Sequence, residues 1–161
     1  MATLIILLIF AVTAVACMVL HYAAMELLVR RICFDQEDAG LRKPLVAGMS
    51  VLLTAHVVQI TLATLAVYLL ELWPWLALGG LVDGNATLDN ALPIDSTFAD
   101  TWYFTACTFT TVGYGDIAAV GPLRLFAALV ALLGFLLITW SASFGFFIMN
   151  RAWQNRAPRA G

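Results

Sequence analysis

Charge is the scarcest thing in this sequence. Eight Lys and Arg and ten Asp and Glu are spread over 161 residues, leaving a net charge of −2. At 11% charged and 63% hydrophobic, the chain lies far from the roughly 25% charged and 45–50% apolar of an ordinary soluble domain. That excludes a water-soluble core. No basic arm or lysine run is present, so no nucleic-acid partner is expected. Cysteine is equally sparse: Cys17, Cys33 and Cys107 fall in three separate segments without paired spacing, which argues against a disulfide framework or a thiolate metal site. The first apolar run carries no series of arginines, excluding voltage sensing by that device.

Long apolar runs take the place of the missing charge. Thr3 to Val29 is 27 residues interrupted only by His21 and Glu26. At 1.5 Å per residue it reaches about 40 Å, enough for a bilayer core of about 30 Å. A secretory signal peptide is excluded because no Lys or Arg precedes the run and the run is too long. A polar connection, 30–44, holds Arg30, Arg31, Arg42 and Lys43. The second run, 45–72, follows Pro44 and ends at Trp73-Pro74-Trp75, interfacial aromatics around a helix breaker. Residues 73–96 read as a loop punctuated by Gly79-Gly80, Asp83-Gly84-Asn85 and Leu92-Pro93. Asp95 or Ser96 can cap a helix over 97–109 with Asp100 in its first turn. That helix is about 20 Å long, too short to span. It must enter the membrane and turn back, which backbone tolerates only when protein buries it or it lines a wet pore. A last run covers 122–149, followed by a short segment, 151–161, with three arginines.

Seven of the eight basic residues fall in 30–44 or beyond 150. With three spans those segments share a side, and an excess of Lys and Arg marks it as cytoplasmic, with the N-terminus outside. The connection from Glu71 to Asp116 then lies outside with six acids (Glu71, Asp83, Asp89, Asp95, Asp100, Asp116) and no base. A negative vestibule of that kind concentrates cations.

Between the short helix and the last run stands Thr110-Thr111-Val112-Gly113-Tyr114-Gly115-Asp116. If successive carbonyls are to point to one side of a chain, alternate residues must take positive φ. Glycine does so without steric cost, which accounts for Gly113 and Gly115. Such a row of oxygens can replace the water shell of a dehydrated cation. Thr111 adds a hydroxyl oxygen below the last carbonyl, while Val112 and Tyr114 point away and pack the thin loop against its surroundings. The rival reading is a glycine turn between two helices.

These residues, with Tyr103-Phe104-Thr105-Ala106-Cys107-Thr108-Phe109 before them, resemble the potassium-channel pore domain; the likeness runs from about Ser96 to Gly145. It implies an all-α membrane protein with three transmembrane helices, a re-entrant pore helix and a selectivity-filter loop. Residues 1–44 form an additional helix and connection, and 45–150 the pore domain, with outer helix 45–72, outer loop 73–96, pore helix 97–109, filter 110–116 and inner helix 122–149. K+ is coordinated by Thr111, Val112, Gly113 and Tyr114, with Gly115 completing the filter and Thr110, Thr108, Tyr103 and Asp116 supporting it. One loop supplies a quarter of a filter, so the partner is the chain itself in a homotetramer, surrounded by lipid in a bacterial inner membrane. No other protein partner is predictable, and no organic cofactor or enzymatic chemistry is expected. Cys107 stands where some members carry a glutamate that bonds the filter aspartate. The alternative is an accessory membrane subunit that does not conduct.

In the last run Phe135, Ile138, Ala142, Gly145, Phe146 and Met149 recur at helical spacing as cavity or gate candidates. Gly134 reads equally as a hinge or as a close packing contact, Gly145 is the rival hinge, and Trp140 packs elsewhere. Phe146, rather than Phe144 or Phe147, is the expected constriction. His21 and His56 fall at similar depths, with Gln59 nearby, and are expected to join the first helix to the pore domain through hydrogen bonds.

Overall fold

In the computed structural model, backbone is described for residues 1–34, 42–71, 79–84 and 97–154, and side chains for these except 31–34, 42–45 and 151–154. Trp73-Pro74-Trp75, most of the outer loop and the segment after Gln154 therefore lie outside the described residues.

Among the described residues three helices are long and apolar enough to cross a membrane: α1 (Ala2–Phe34), α2 (Arg42–Glu71) and α4 (Leu123–Gln154). A twelve-residue helix, α3 (Phe98–Phe109), sits between α2 and α4. Each long helix overruns its apolar stretch. α1 continues five residues past Val29, α2 begins two residues before Pro44, and α4 reaches Gln154. Polar residues near the ends extend a helix without being part of its apolar signal.

A helix in lipid is apolar all round, so its core face is read from burial. On α1 the buried positions include Ile6 and then Ala14, Cys17, His21, Met25 and Leu28; from Ala14 on they follow in steps of three and four, and Ile6 lies two steps of four before it, so all share one stripe. Leu52, Ala55, Gln59, Ala63, Ala66 and Leu70 repeat the pattern on α2, and Leu123, Phe126, Val130, Leu133 and Leu137 on α4. Three alanines in the α2 stripe bring backbones close, the usual currency of helix association where burial from water gives no drive. α1 packs against α2 and α4, while α3 wedges between α2 and α4.

α3 opens with a capping box at Thr97, one or two residues after the caps expected from sequence. The Asp100 carboxylate accepts from the Thr97 N–H (3.0 Å) and hydroxyl (2.6 Å), and the Thr97 hydroxyl also lies 3.3 Å from the Asp100 N–H. These bonds lower the Asp100 carboxyl below the usual carboxylate range. Threonine at the cap with aspartate three positions on satisfies two otherwise orphan donors.

The all-α expectation needs one addition. Leu81–Asp83 (β1) and Ile117–Ala119 (β2) form an antiparallel ribbon with Leu81 opposite Ala119 and Asp83 opposite Ile117. Three-residue strands leave no alternation to read, so neither is legible in the sequence.

Candidate functional site

The end of α3 and the segment after it are one hydrogen-bonded unit. The Thr110 N–H bonds the Ala106 carbonyl at 3.0 Å and Thr111 N–H bonds Thr108 at 3.0 Å. The N–H groups of Val112 and Gly113 both reach back to the Cys107 carbonyl, at 2.9 and 3.1 Å. Four successive N–H groups thus turn towards the helix C-terminus. φ is positive at Thr111 (59°), Gly113 (54°) and Gly115 (82°), and at neither residue between them. This alternation is the conformation a one-sided row of carbonyls requires.

The sequence reading assigned positive φ to the two glycines and missed Thr111. A β-branched residue in that region is a genuine outlier, held at a cost of about 1–3 kcal/mol by what surrounds it. Here the surroundings are the 3.0 Å bond to Thr108 and the Thr110 side chain, which is itself tied to the Ala106 carbonyl at 2.7 Å. Signals that would have located this strain are geometric, not compositional.

Residues 110–116 are all exposed in the single chain. Val112 is 54% and Tyr114 72% exposed, so the surroundings expected to pack them are not supplied by this chain alone. Tyr114 does stack on Tyr103, rings nearly parallel at 6.5 Å. The Tyr103 hydroxyl donates to Asp116 Oδ2 at 3.0 Å, the pairing expected between α3 and the aspartate. That bond to a carboxylate pushes the Tyr103 phenol up to about 12.

From outside, the ribbon clamps the same segment. The Gly84 N–H donates to the Asp116 carbonyl at 2.9 Å, and a Cβ on Gly84 would lie 1.7 Å from the Gly115 oxygen. Only glycine fits there. Glu71, at the end of α2, anchors the ribbon: its carboxylate accepts from the Leu81 N–H at 3.1 Å and lies 3.4 Å from the Thr101 hydroxyl. Glu71 is also one of the six acids that the sequence places in the outer connection. Glu71 and Asp100 are engaged in local bonds and Asp116 with Tyr103, while Asp89 and Asp95 lie outside the described residues.

From behind, α4 presses on the end of α3. A Cβ on Gly134 would meet the Phe109 carbonyl at 1.9 Å. Gly134 therefore sits at a close crossing of α4 with α3, which favours the packing contact over the hinge of the two readings the sequence left open. A Cβ at Gly145 would find only Met49 Sδ, at 3.9 Å. Phe135, Ile138, Ala142 and Phe146 are exposed in the single chain, while Gly145 and Met149 are half-buried. Phe144 turns instead to the cluster of Met25, Leu28 and Leu52, and Phe147 is exposed like Phe146.

One level further from residues 110–116 the three spans meet in a polar ring. Gln59 Nε2 lies 3.2 Å from His21 Nδ1 and 3.2 Å from the Cys17 carbonyl. Gln59 Oε1 is 2.9 Å from His56 Nδ1, and the Ser141 hydroxyl is 3.0 Å from His56 Nε2 and 3.4 Å from His21 Nε2. His21 and Gln59 are fully buried. Trp140 packs on His21 at 5.4 Å and Phe109 on His56 at 6.2 Å. The histidines and Gln59 were expected together; Ser141, one serine among the small residues of α4, carried no signal.

A family model described as an ion channel matches residues 50–149. No curated protein and no solved structure matches the chain.

Proposed function

Because this chain belongs to the ion-channel family, which is not one of enzymes, we propose that it is a potassium-selective channel. The observation that carries the reading is the alternation of φ at Thr111, Gly113 and Gly115, on a segment whose N–H groups are engaged by α3. Carbonyls of Thr111 to Tyr114 and the Thr111 hydroxyl coordinate dehydrated K+, Gly115 completes the filter, and Thr110, Thr108, Tyr103 and Asp116 support it. The partial negative charge at the C-terminus of α3 favours a cation beneath the filter.

The exposed filter supports a homotetramer with cyclic symmetry, since one chain supplies one wall and leaves Val112 and Tyr114 uncovered. Within it, residues 45–150 form the pore unit, 1–44 the added helix with its cytoplasmic connection, and 151–161 a cytoplasmic segment. The inner cavity is lined by Ile138, Ala142, Phe146 and Met149, with the N-terminus outside and the membrane that of a bacterial cell. A flux assay in proteoliposomes tests this: K+ and Rb+ should pass while Na+ is largely excluded. Equal Na+ and K+ flux would remove the selectivity reading, and no flux at all would return the chain to an accessory role.

A further inference from the structure

The polar ring has a direction, and a backbone carbonyl sets it. Only the amide nitrogen of Gln59 can donate to the Cys17 carbonyl, at 3.2 Å. The same nitrogen must then donate to His21 Nδ1, which is therefore unprotonated, leaving the proton of neutral His21 on Nε2. That Nε2–H donates to the Ser141 oxygen, the Ser141 hydroxyl donates to His56 Nε2, and the Nδ1–H of His56 donates to Gln59 Oε1. Four side chains from three spans thus close a loop with one proton in each of its four gaps. Two neutral histidines of opposite tautomer are the arrangement that satisfies every atom.

A fifth proton has no gap of its own. On His21 Nδ1 it confronts the Gln59 amide; on His56 Nε2 it evicts the Ser141 hydroxyl proton from the ring. Either way a full charge enters an apolar site, which is costly without a counter-ion. From α1 the ring is faced by the Cys17 thiol, directed at the Gln59 carbonyl, from α3 by Phe109 and from α4 by Trp140. Among the described residues no carboxylate or cationic side chain bonds the ring, and Glu26, five residues along α1, pairs with Arg30.

We propose that the His21–Gln59–His56–Ser141 ring is a proton-binding site that latches α1 and the lower half of α4 to α2, and that binding a proton there releases them. Ser141 lies seven residues beyond Gly134, so the ring restrains the part of α4 below its crossing with α3. Release frees that half to move away from the axis and opens the pore. The coupling to opening rests on the channel reading; the state of the ring does not.

The test uses the full chain in liposomes. Nitrogen NMR of the histidine rings at neutral pH should show His21 carrying its proton on Nε2 and His56 on Nδ1, assigned with His21→Ala and His56→Ala. Cys17, fully buried, reports release in a Cys33→Ser/Cys107→Ser background. Its labelling by a pyridyl disulfide, which reacts in acid, should rise on acidification below about pH 6.5, the ordinary imidazole midpoint, because the added charge must enter an apolar site. K+ flux should rise about fivefold or more over the same range, the lower end of typical coupling between sites. Gln59→Leu should label on both sides of that pH and lose the acid response, and Gln59→Glu, which gives the proton a counter-charge, should respond at higher pH. The same tautomer on both histidines, or Cys17 labelling that ignores pH, overturns the site. Tautomers and labelling as expected, with flux that falls in acid or rises equally in Gln59→Leu, overturns the coupling. Absence of flux at any pH, with the ring behaving as described, counts against the channel reading instead.

Discussion

Two regions of this molecule are held together by opposite means. Around residues 110–116 most of the bonds are between backbone groups, and the fit is set by glycines whose missing Cβ lets another chain segment within 2 Å of where it would be. Around His21, His56, Gln59 and Ser141 the bonds are between side chains on three separate helices. A backbone fit has no graded failure, because a clash with a carbonyl cannot be relieved by turning a rotamer. A side-chain ring can lose a member and re-form around water or a neighbour. The filter shell should therefore break outright under small substitutions and the ring weaken by steps.

The largest effect is expected at Gly84 and Gly134. An added methyl must displace the Gly115 carbonyl in one case and the Phe109 carbonyl in the other, a form of overpacking that costs about 1–3 kcal/mol or more. Gly84→Ala should abolish K+ over Na+ selectivity in a flux assay while the chain still inserts. Gly134→Ala should reduce the yield of tetramer on a sizing column. Selective flux in Gly84→Ala would show that the ribbon is not coupled to the filter.

Next comes the inner helix, which belongs to neither region. Phe146 and Phe147 are both exposed in one chain; Phe146 shares its face with Ala142 and Met149 and, on the proposed channel reading, is the ring expected to narrow the pore by dewetting. Phe146→Ala should raise flux about fivefold, equivalent to about 1 kcal/mol in the opening equilibrium, with selectivity intact. A gain in Phe147→Ala and none in Phe146→Ala would assign the axis to the other face.

Thr111 offers a finer cut, since it is strained and its hydroxyl is one of the oxygens proposed to coordinate the ion. Thr111→Ser retains the oxygen and removes the branch that disfavours φ of 59°. Tetramer stability, read by heating in detergent, should rise by up to about 1 kcal/mol, and selectivity should hold. Loss of stability would mean that the Thr111 methyl packs against a neighbouring copy.

What could be read from the sequence follows the same divide. Spans are legible because lipid demands unbroken apolar length, and the filter is legible because Gly113 and Gly115 have a conformational reason to be glycine. Gln59 and the two histidines stand out as polar residues in apolar runs. Ser141 does not, because serine is common in membrane helices and its partners lie 85 and 120 positions away. Glu71 reads as one of six acids of the outer connection, because the ribbon it anchors leaves no trace in the sequence. That ribbon pairs strands more than thirty residues apart and only three long, with too little pattern to announce itself. Gly134 was readable as a glycine with a purpose, but choosing hinge or contact required the position of the Phe109 carbonyl.

The smallest effect should come from Ser141→Ala. Serine contributes two bonds to the ring, at 3.0 and 3.4 Å, and interhelical bonds in membranes average about 0.6 kcal/mol each. Removing the hydroxyl leaves the Nε2 atoms of both histidines without that partner, yet their other nitrogens stay bonded to Gln59 and the stripe of Cys17, Ala63 and Leu137 keeps the helices in contact. The chain should lose about 1 kcal/mol of stability and keep its fold. A double-mutant cycle with His56→Ala isolates the bond itself, and a coupling of about 0.5 kcal/mol is expected. A coupling near zero would mean that helix packing alone sets this region, and that the ring is a consequence of the assembly of α1, α2 and α4 and not one of its causes.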